Sequence, residues 1–248
     1  MNAGKTTRKV VRRLDDVMNV AFRIVMFAVI LCGIYVTADV IGVYGDAGAE
    51  KVRNYKPEVV TKEALREISG ECVAWLELYG TTVDYPVMQG KTNYDYLNKD
   101  PFGEYSLSGS IFLDVRNSPD FSDDYNLVYG HHMTAGLMFG ALTAYESEDY
   151  WKSHKRGRLE TGDSKYDLEV VAFVRCDASD LEIFDVDGDF ERKTEFVRKK
   201  RWYGNEIPKG SKILSLTTCK TPGSTTRTAV LCVMTETPND GPEPESET

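Results

Sequence analysis

A cysteine, a histidine pair and an arginine are the residues of this chain whose types and neighbours suit nucleophilic chemistry. Cys219 ends the run Ile213-Leu-Ser-Leu-Thr-Thr-Cys219. Strand alternation puts Ile213, Ser215, Thr217 and Cys219 on one face, and Leu214, Leu216 and Thr218 on the other. One face is therefore apolar, and the other turns polar toward the strand end. A cysteine where a strand gives way to a loop is placed for chemistry rather than packing. Its thiolate is a good nucleophile at neutral pH once a nearby cation favours it. The chain has three histidines, two of them in Tyr129-Gly130-His131-His132-Met133, directly after an apolar run. Neighbours on an extended segment point to opposite sides, so at most one of the two faces a given site. Gly130 permits a tight bend or a close backbone approach. Arg227 follows the seven-residue segment Lys220–Thr226 and opens the next apolar run. A hairpin would bring it back toward Cys219, where a fixed guanidinium fork can hold a carbonyl or stabilise an oxyanion.

These residues need a scaffold, and short strands supply it. Val73–Leu78, Val83–Met88, Ser110–Leu113, Asn126–Tyr129, Arg158–Thr161, Asp167–Arg175, Lys212–Cys219 and Thr228–Thr235 are rich in Val, Ile, Leu and Tyr and bounded by turn residues. About eight short strands suit a closed or nearly closed β-barrel. Two helical stretches interrupt them. Met138–His154 spaces Phe139, Leu142 and Tyr145, and Asp189–Tyr203 spaces Phe190, Val197 and Trp202. Upstream, Thr61 can N-cap a short helix that presents Leu65 and Ile68 on one face, ending at Gly70. Residues 237–248 are Pro-rich and acidic, and are expected to be disordered.

The first 44 residues read differently. Ile24–Val43 is twenty residues with Asp39 as its only charge, about 30 Å of helix at ~1.5 Å per residue and enough to span a hydrocarbon core. A cleaved signal peptide usually has a shorter apolar region and a small-x-small site, so an uncleaved anchor is expected. Six Lys/Arg against three acids give residues 1–44 a net +3, so the remainder carries −12 of the chain's −9. The basic cluster precedes the span, which predicts a cytoplasmic N-terminus and an extracellular domain. The expected organisation is a basic tail (1–23), a transmembrane anchor (24–44), a juxtamembrane linker and helix (45–72), a β-rich domain (73–236) and an acidic tail (237–248).

Several classes find no support. Net negative charge argues against a nucleic-acid binder. Five cysteines without a CxxC pair indicate neither a disulfide framework nor a zinc ribbon, and Cys72, Cys176 and Cys232 are read as small buried apolar residues. Asp185-Val-Asp-Gly-Asp189 resembles the start of a calcium loop, but the sixth and twelfth positions are Phe190 and Phe196, so a solvated acidic turn is expected. His154, in a charged stretch, is read as a surface residue. There is no HExxH, P-loop or GxGxxG, and no metal or cofactor is expected.

The ordered set YGHHM, LSLTTC and an Arg opening the next strand resembles the sortase family. Trp75-Leu76, Thr82-Val-Asp-Tyr-Pro-Val-Met-Gln89, Asn93-Tyr-Asp-Tyr-Leu97 and Gly109-Ser-Ile-Phe-Leu-Asp114 resemble its class B branch in particular, as does the helical insertion between Cys176 and Cys219. The resemblance runs from about Val73 to Val233. It implies the eight-stranded sortase β-barrel, mainly β with α insertions, and cysteine transpeptidation at the surface of a Gram-positive cell. It picks His131, directly after the glycine, over His132. Cys219 falls on the family's nucleophile and Arg227 on its arginine. Asn93, Leu97, Tyr129 and Thr217 match positions resembling substrate-groove residues. Lys220 stands where many members have an acidic residue, and the Cys-to-Arg loop is short for the family.

The implied partners are secreted proteins bearing a C-terminal sorting motif, and an amine acceptor. That acceptor is a peptidoglycan precursor or a pilin lysine, with wall anchoring favoured over pilin polymerisation. The competing readings are an endopeptidase that passes the acyl group to water, and a membrane-tethered assembly protein without catalysis.

Overall fold

The computed structural model describes residues 3–47, 52, 54–133, 136–177, 179–218 and 225–238. The chain divides into two units, Met1–Tyr44 and Gly45–Thr248. The first carries all but the last three residues of helix α1, Ala3–Ala47. Within it Val11–Gly42 is long and apolar enough to cross a membrane, and side chains such as Phe22, Ile30 and Ile34 are exposed. The expected span at 24–44 lies inside this one continuous helix.

The second unit begins with α2, Lys62–Ile68. Thr61 caps it by accepting from the Ala64 N–H, and Leu65 and Ile68 are buried, as the sequence predicts. Nine strands follow among the described residues: β1 Cys72–Leu78, β2 Asp84–Met88, β3 Ile111–Leu113, β4 Tyr125–Gly130, β5 Arg156–Glu160, β6 Lys165–Asp177, β7 Arg201–Gly204, β8 Lys212–Thr218 and β9 Thr226–Thr237. Eight of them form a ring in the order β5-β1-β2-β3-β4-β8-β9-β6, and the β5–β6 ladder closes it. Closure leaves the ring without an open edge. All eight expected strands coincide with members of the ring.

The β7 strand is the exception. One edge of β6 is shared: Lys165–Glu169 pair with β5, and Ala172–Val174 pair with β7. The expected helix over Asp189–Tyr203 therefore stops early, as α4, Phe190–Lys200. Trp202 and Tyr203 pack as a strand beside Phe173, with ring centroids 5.8 and 6.0 Å away. Aromatic residues suit a pleated, half-buried surface, and here that packing overrides the helical spacing.

The expected helix Met138–His154 is also divided. Phe139–Glu146 form a 3-10 helix, and Ser147 then caps α3, Glu148–Ser153, by accepting from the Tyr150 N–H. Phe139, Leu142 and Tyr145 are all fully buried. Their spacing of three eclipses in a 3-10 helix, which has three residues per turn, so one row enters the barrel. Inside the ring these side chains meet Leu76, Leu168, Leu214, Leu216, Val230 and Cys232. A second cluster lies outside it, where Val197 of α4 joins Tyr125, Leu127, Ile213, Ala229 and Leu231.

Candidate active site

The strands β4 and β8 run parallel and in register, from Tyr125↔Ile213 to Gly130↔Thr218. Residues paired in this way share a face. Tyr125, Leu127, Tyr129, Ile213, Ser215 and Thr217 therefore line the outer face, and Asn126, Val128, Leu214 and Leu216 the inner one. The alternation expected for β8 is observed over its described length. Cys219, the residue that follows Thr218, lies outside the described residues. On the other side of β8, Thr217 pairs with Ala229 of β9. Arg227, two residues before Ala229, is on the same face as Thr217. It is 8% exposed, lies opposite Cys176 of β6, and donates from Nη1 to the Thr226 carbonyl at 3.3 Å.

The two adjacent histidines diverge just past the last β4–β8 pair. The Nε2 of His131 is 2.6 Å from the Leu97 carbonyl oxygen. A carbonyl can only accept, so Nε2 carries a proton in this contact. His132 is exposed, with Nε2 3.0 Å from Thr143 Oγ1 and a bridge to Met138. The preceding glycine is required by close approach. A Cβ on Gly130 would lie 2.5 Å from Ile111 Cδ1 and 2.7 Å from the Phe139 ring.

The remaining groove candidates gather on one buried carboxylate that sequence reasoning quoted only as the end of a motif. Asp114 directly follows the apolar strand β3 and is 0% exposed. Its Oδ2 accepts from Asn93 Nδ2 at 2.9 Å, Tyr129 OH at 3.0 Å and Arg116 Nη2 at 2.8 Å. Its Oδ1 accepts from Arg116 Nε at 2.9 Å and the Arg116 N–H at 3.0 Å. Burial pushes the carboxyl up, but the Arg116 hydrogen bonds and charge, with the Tyr129 hydroxyl, outweigh it and hold it below the usual range. An acid directly after an apolar strand and two residues before an arginine was the readable signal.

Three of the other cysteines are small buried residues, as expected. Cys72, Cys176 and Cys232 are buried and unpaired. Burial pushes the Cys72 and Cys176 thiols up to about 12, and the Cys232 thiol further still. The acidic turn Asp185–Asp189 is solvated at its carboxylates but has an unforeseen centre. Lys193 is 5% exposed, and its Nζ donates to the carbonyls of Val186 and Gly188 at 3.2 and 2.7 Å. A cavity of about 470 Å³ opens between Arg116 and this segment, and includes neither His131 nor Arg227 in its lining.

Comparison with known proteins accords with this arrangement. Residues 76–235 match the sortase domain family. Sortase B of Staphylococcus aureus is 32% identical over 176 residues, covering 69% of this chain and 72% of the relative. A Streptococcus pyogenes class B sortase involved in pilus biogenesis is 33% identical, with a TM-score of 0.64 over 71% of this chain and 98% of that one. The Staphylococcus aureus sortase B–substrate complex superposes with a TM-score of 0.67 at 27% identity, covering 81% of this chain and 97% of that one. With the closed barrel, the strand order and these relatives together, the chain belongs to the sortase family, among the class B cysteine transpeptidases.

Proposed function

We propose that this chain cleaves the C-terminal sorting motif of secreted proteins and transfers them to an amine of the cell-wall precursor, with Cys219 as nucleophile, His131 as acid and base, and Arg227 as clamp on the developing negative charge. The parallel β4–β8 ladder carries this reading. Its last aligned pair, Gly130 and Thr218, is followed on one strand by His131 and on the other by Cys219. Arg227, the second residue of β9, lies on the face that Tyr129 and Thr217 share, supporting its part.

In the first half-reaction the Cys219 thiolate attacks the substrate carbonyl, and an S–C bond forms. Arg227 stabilises the oxyanion. The C–N bond then breaks, and protonated His131 delivers a proton from Nδ1 to the leaving amine. A thioester remains. In the second half-reaction the acceptor amine attacks that thioester, His131 takes a proton from it, and the S–C bond breaks to restore the thiolate. Asn93, Leu97, Tyr129 and Thr217 line the groove that holds the extended motif.

The α1 helix serves as an uncleaved anchor, with residues 1–23 cytoplasmic and the barrel outside the cell. The basic cluster before the apolar stretch supports that orientation. Substrates and lipid-linked acceptors then share the membrane surface with the enzyme. The pilus-associated relative supports a second reading, in which the acceptor is a pilin lysine.

The test is mass spectrometry of the full chain in detergent with a library of sorting-motif peptides. Triglycine and a pilin-derived lysine peptide serve as competing acceptors. Triglycine-ligated product, lost in Cys219→Ala, is expected. Ligation to the lysine peptide alone would favour pilin polymerisation. Release of the free acid alone, with both amines present, would count against transfer.

A further inference from the structure

We propose that Asp114 is a positioning residue of this site. By gripping Asn93 and Tyr129 together, it fixes the Leu97 carbonyl that keeps the His131 proton on Nε2 and leaves Nδ1 to exchange protons. This inference rests on the acid and base role given to His131 above.

The linkage runs through contacts on both sides of the histidine. On one side, Asp114 holds Asn93 by its amide nitrogen, while the amide oxygen of Asn93 accepts from the Val115 N–H at 2.8 Å. The Asn93 side chain therefore has one orientation. Asn93 lies in the first of two overlapping turns that lead to Leu97, closed by the Asp95 N–H on the Thr92 carbonyl and the Leu97 N–H on the Tyr94 carbonyl, both at 3.3 Å. On the other side, Asp114 holds the hydroxyl of Tyr129, two residues before His131. The donor ring and the acceptor carbonyl are thus referred to one buried carboxylate.

The strand β3 braces the same turns from their opposite end. Gly109, just before β3, has φ +59, and a Cβ there would lie 2.5 Å from the Leu97 carbonyl oxygen. The Ser110 N–H donates to the Tyr96 carbonyl at 3.0 Å, and Ser110 Oγ donates to the Lys99 carbonyl at 2.7 Å. Both ends of the motif Gly109–Asp114 therefore act on the segment 93–99. Arg116 adds a third attachment, donating from Nη2 to the Phe184 carbonyl of the insertion at 2.8 Å. Charge-assisted bonds of this kind fix geometry more firmly than neutral ones. A ring displaced by about 1 Å can lose ~10²-fold in rate.

The test uses the full chain in detergent, labelled with ¹⁵N-histidine, without substrate. In wild type the neutral His131 ring is expected as the Nε2–H tautomer alone, and in Asp114→Asn as a mixture of tautomers. With the peptide library and triglycine, Asp114→Asn is expected to lower kcat by about 10²-fold with KM changed only a few-fold. If Asp114→Asn fails to fold, Asn93→Leu, on a half-buried turn, cuts the same link, and its substrate-free tautomer state decides. A single Nε2–H tautomer in the folded variant, or wild-type kcat in Asp114→Asn, would overturn the proposal. Unimpaired ligation by His131→Ala would instead overturn the role of His131 on which it rests.

Discussion

Two buried charges in this barrel are solved in opposite ways. Asp114 is neutralised by a guanidinium and bonded to side chains from distant segments, and its carboxyl is held below the usual range. Lys193 is bonded to two backbone carbonyls of its own turn, and its ammonium stands 4.8 Å from the Tyr125 ring. Burial dominates there and pushes the Lys193 ammonium down, despite the acids of the 185–189 turn. The first charge links segments that are distant in the chain. The second secures a local turn of the insertion. The Asp114 carboxylate thus takes side-chain hydrogen bonds from segments 15 and 21 residues away, whereas the Lys193 ammonium donates its hydrogen bonds within seven residues.

The contrast can be broken most forcefully by kinetics. His131→Ala should lower kcat by about 10²–10⁴-fold, the usual worth of a positioned acid and base. Lys193→Met should leave turnover of the same peptide within about two-fold and stability within roughly 1 kcal/mol, because an apolar chain of similar length can replace a buried charge. Equal losses in the two variants would erase the distinction. Gly130→Ala forces a Cβ into Ile111 and Phe139. It should cost about 1–3 kcal/mol in denaturant unfolding, with kcat falling further than stability explains, since His131 is the next residue.

Acid and alkali titrations sharpen the comparison more gently. The Asp114 carboxyl is depressed below its unfolded value of 3.8. Its contribution is therefore stabilising above that pH, and is lost as pH falls through the lower folded value. The Lys193 ammonium is depressed below 10.5, so its cost is present at neutral pH and fades as pH rises through the folded value toward 10.5. Thermal melts across pH should show Asp114→Asn losing the acid-side slope and Lys193→Met losing the alkaline rise. The smallest expected effect belongs to His132→Ala, an exposed neighbour of the site, with stability changed by less than about 0.5 kcal/mol.

Much of this architecture is legible in the chain because its strands follow simple alternation. Ile213, Ser215 and Thr217 fall on the face expected of them, and eight strand segments close one ring. Gly130 is legible for a similar reason, since a glycine before a histidine at a strand end signals close approach. The strand β7 is hidden because Phe190, Val197 and Trp202 satisfy helical spacing, and only the stretch of β6 beyond its pairing with β5 reveals where Trp202 goes. The 3-10 helix is hidden because spacing by three is compatible with either helix. Asp114 escapes because its partners Asn93 and Tyr129 are 21 and 15 residues away. The nearby Arg116 marks the acid, but no local pattern announces contacts of that range.

The parallel ladder between β4 and β8 joins segments that begin at Tyr125 and Ile213, 88 residues apart in the chain. Such a pairing forms only after a large loop has closed, and non-local pairings of this kind come late in folding. A chain emerging N-terminus first presents its histidine long before the strand that leads to its cysteine is available to pair. On the proposed roles of His131 and Cys219, an incomplete copy would hold both residues without the pairing that leads to them, and closing the barrel would double as the activation step.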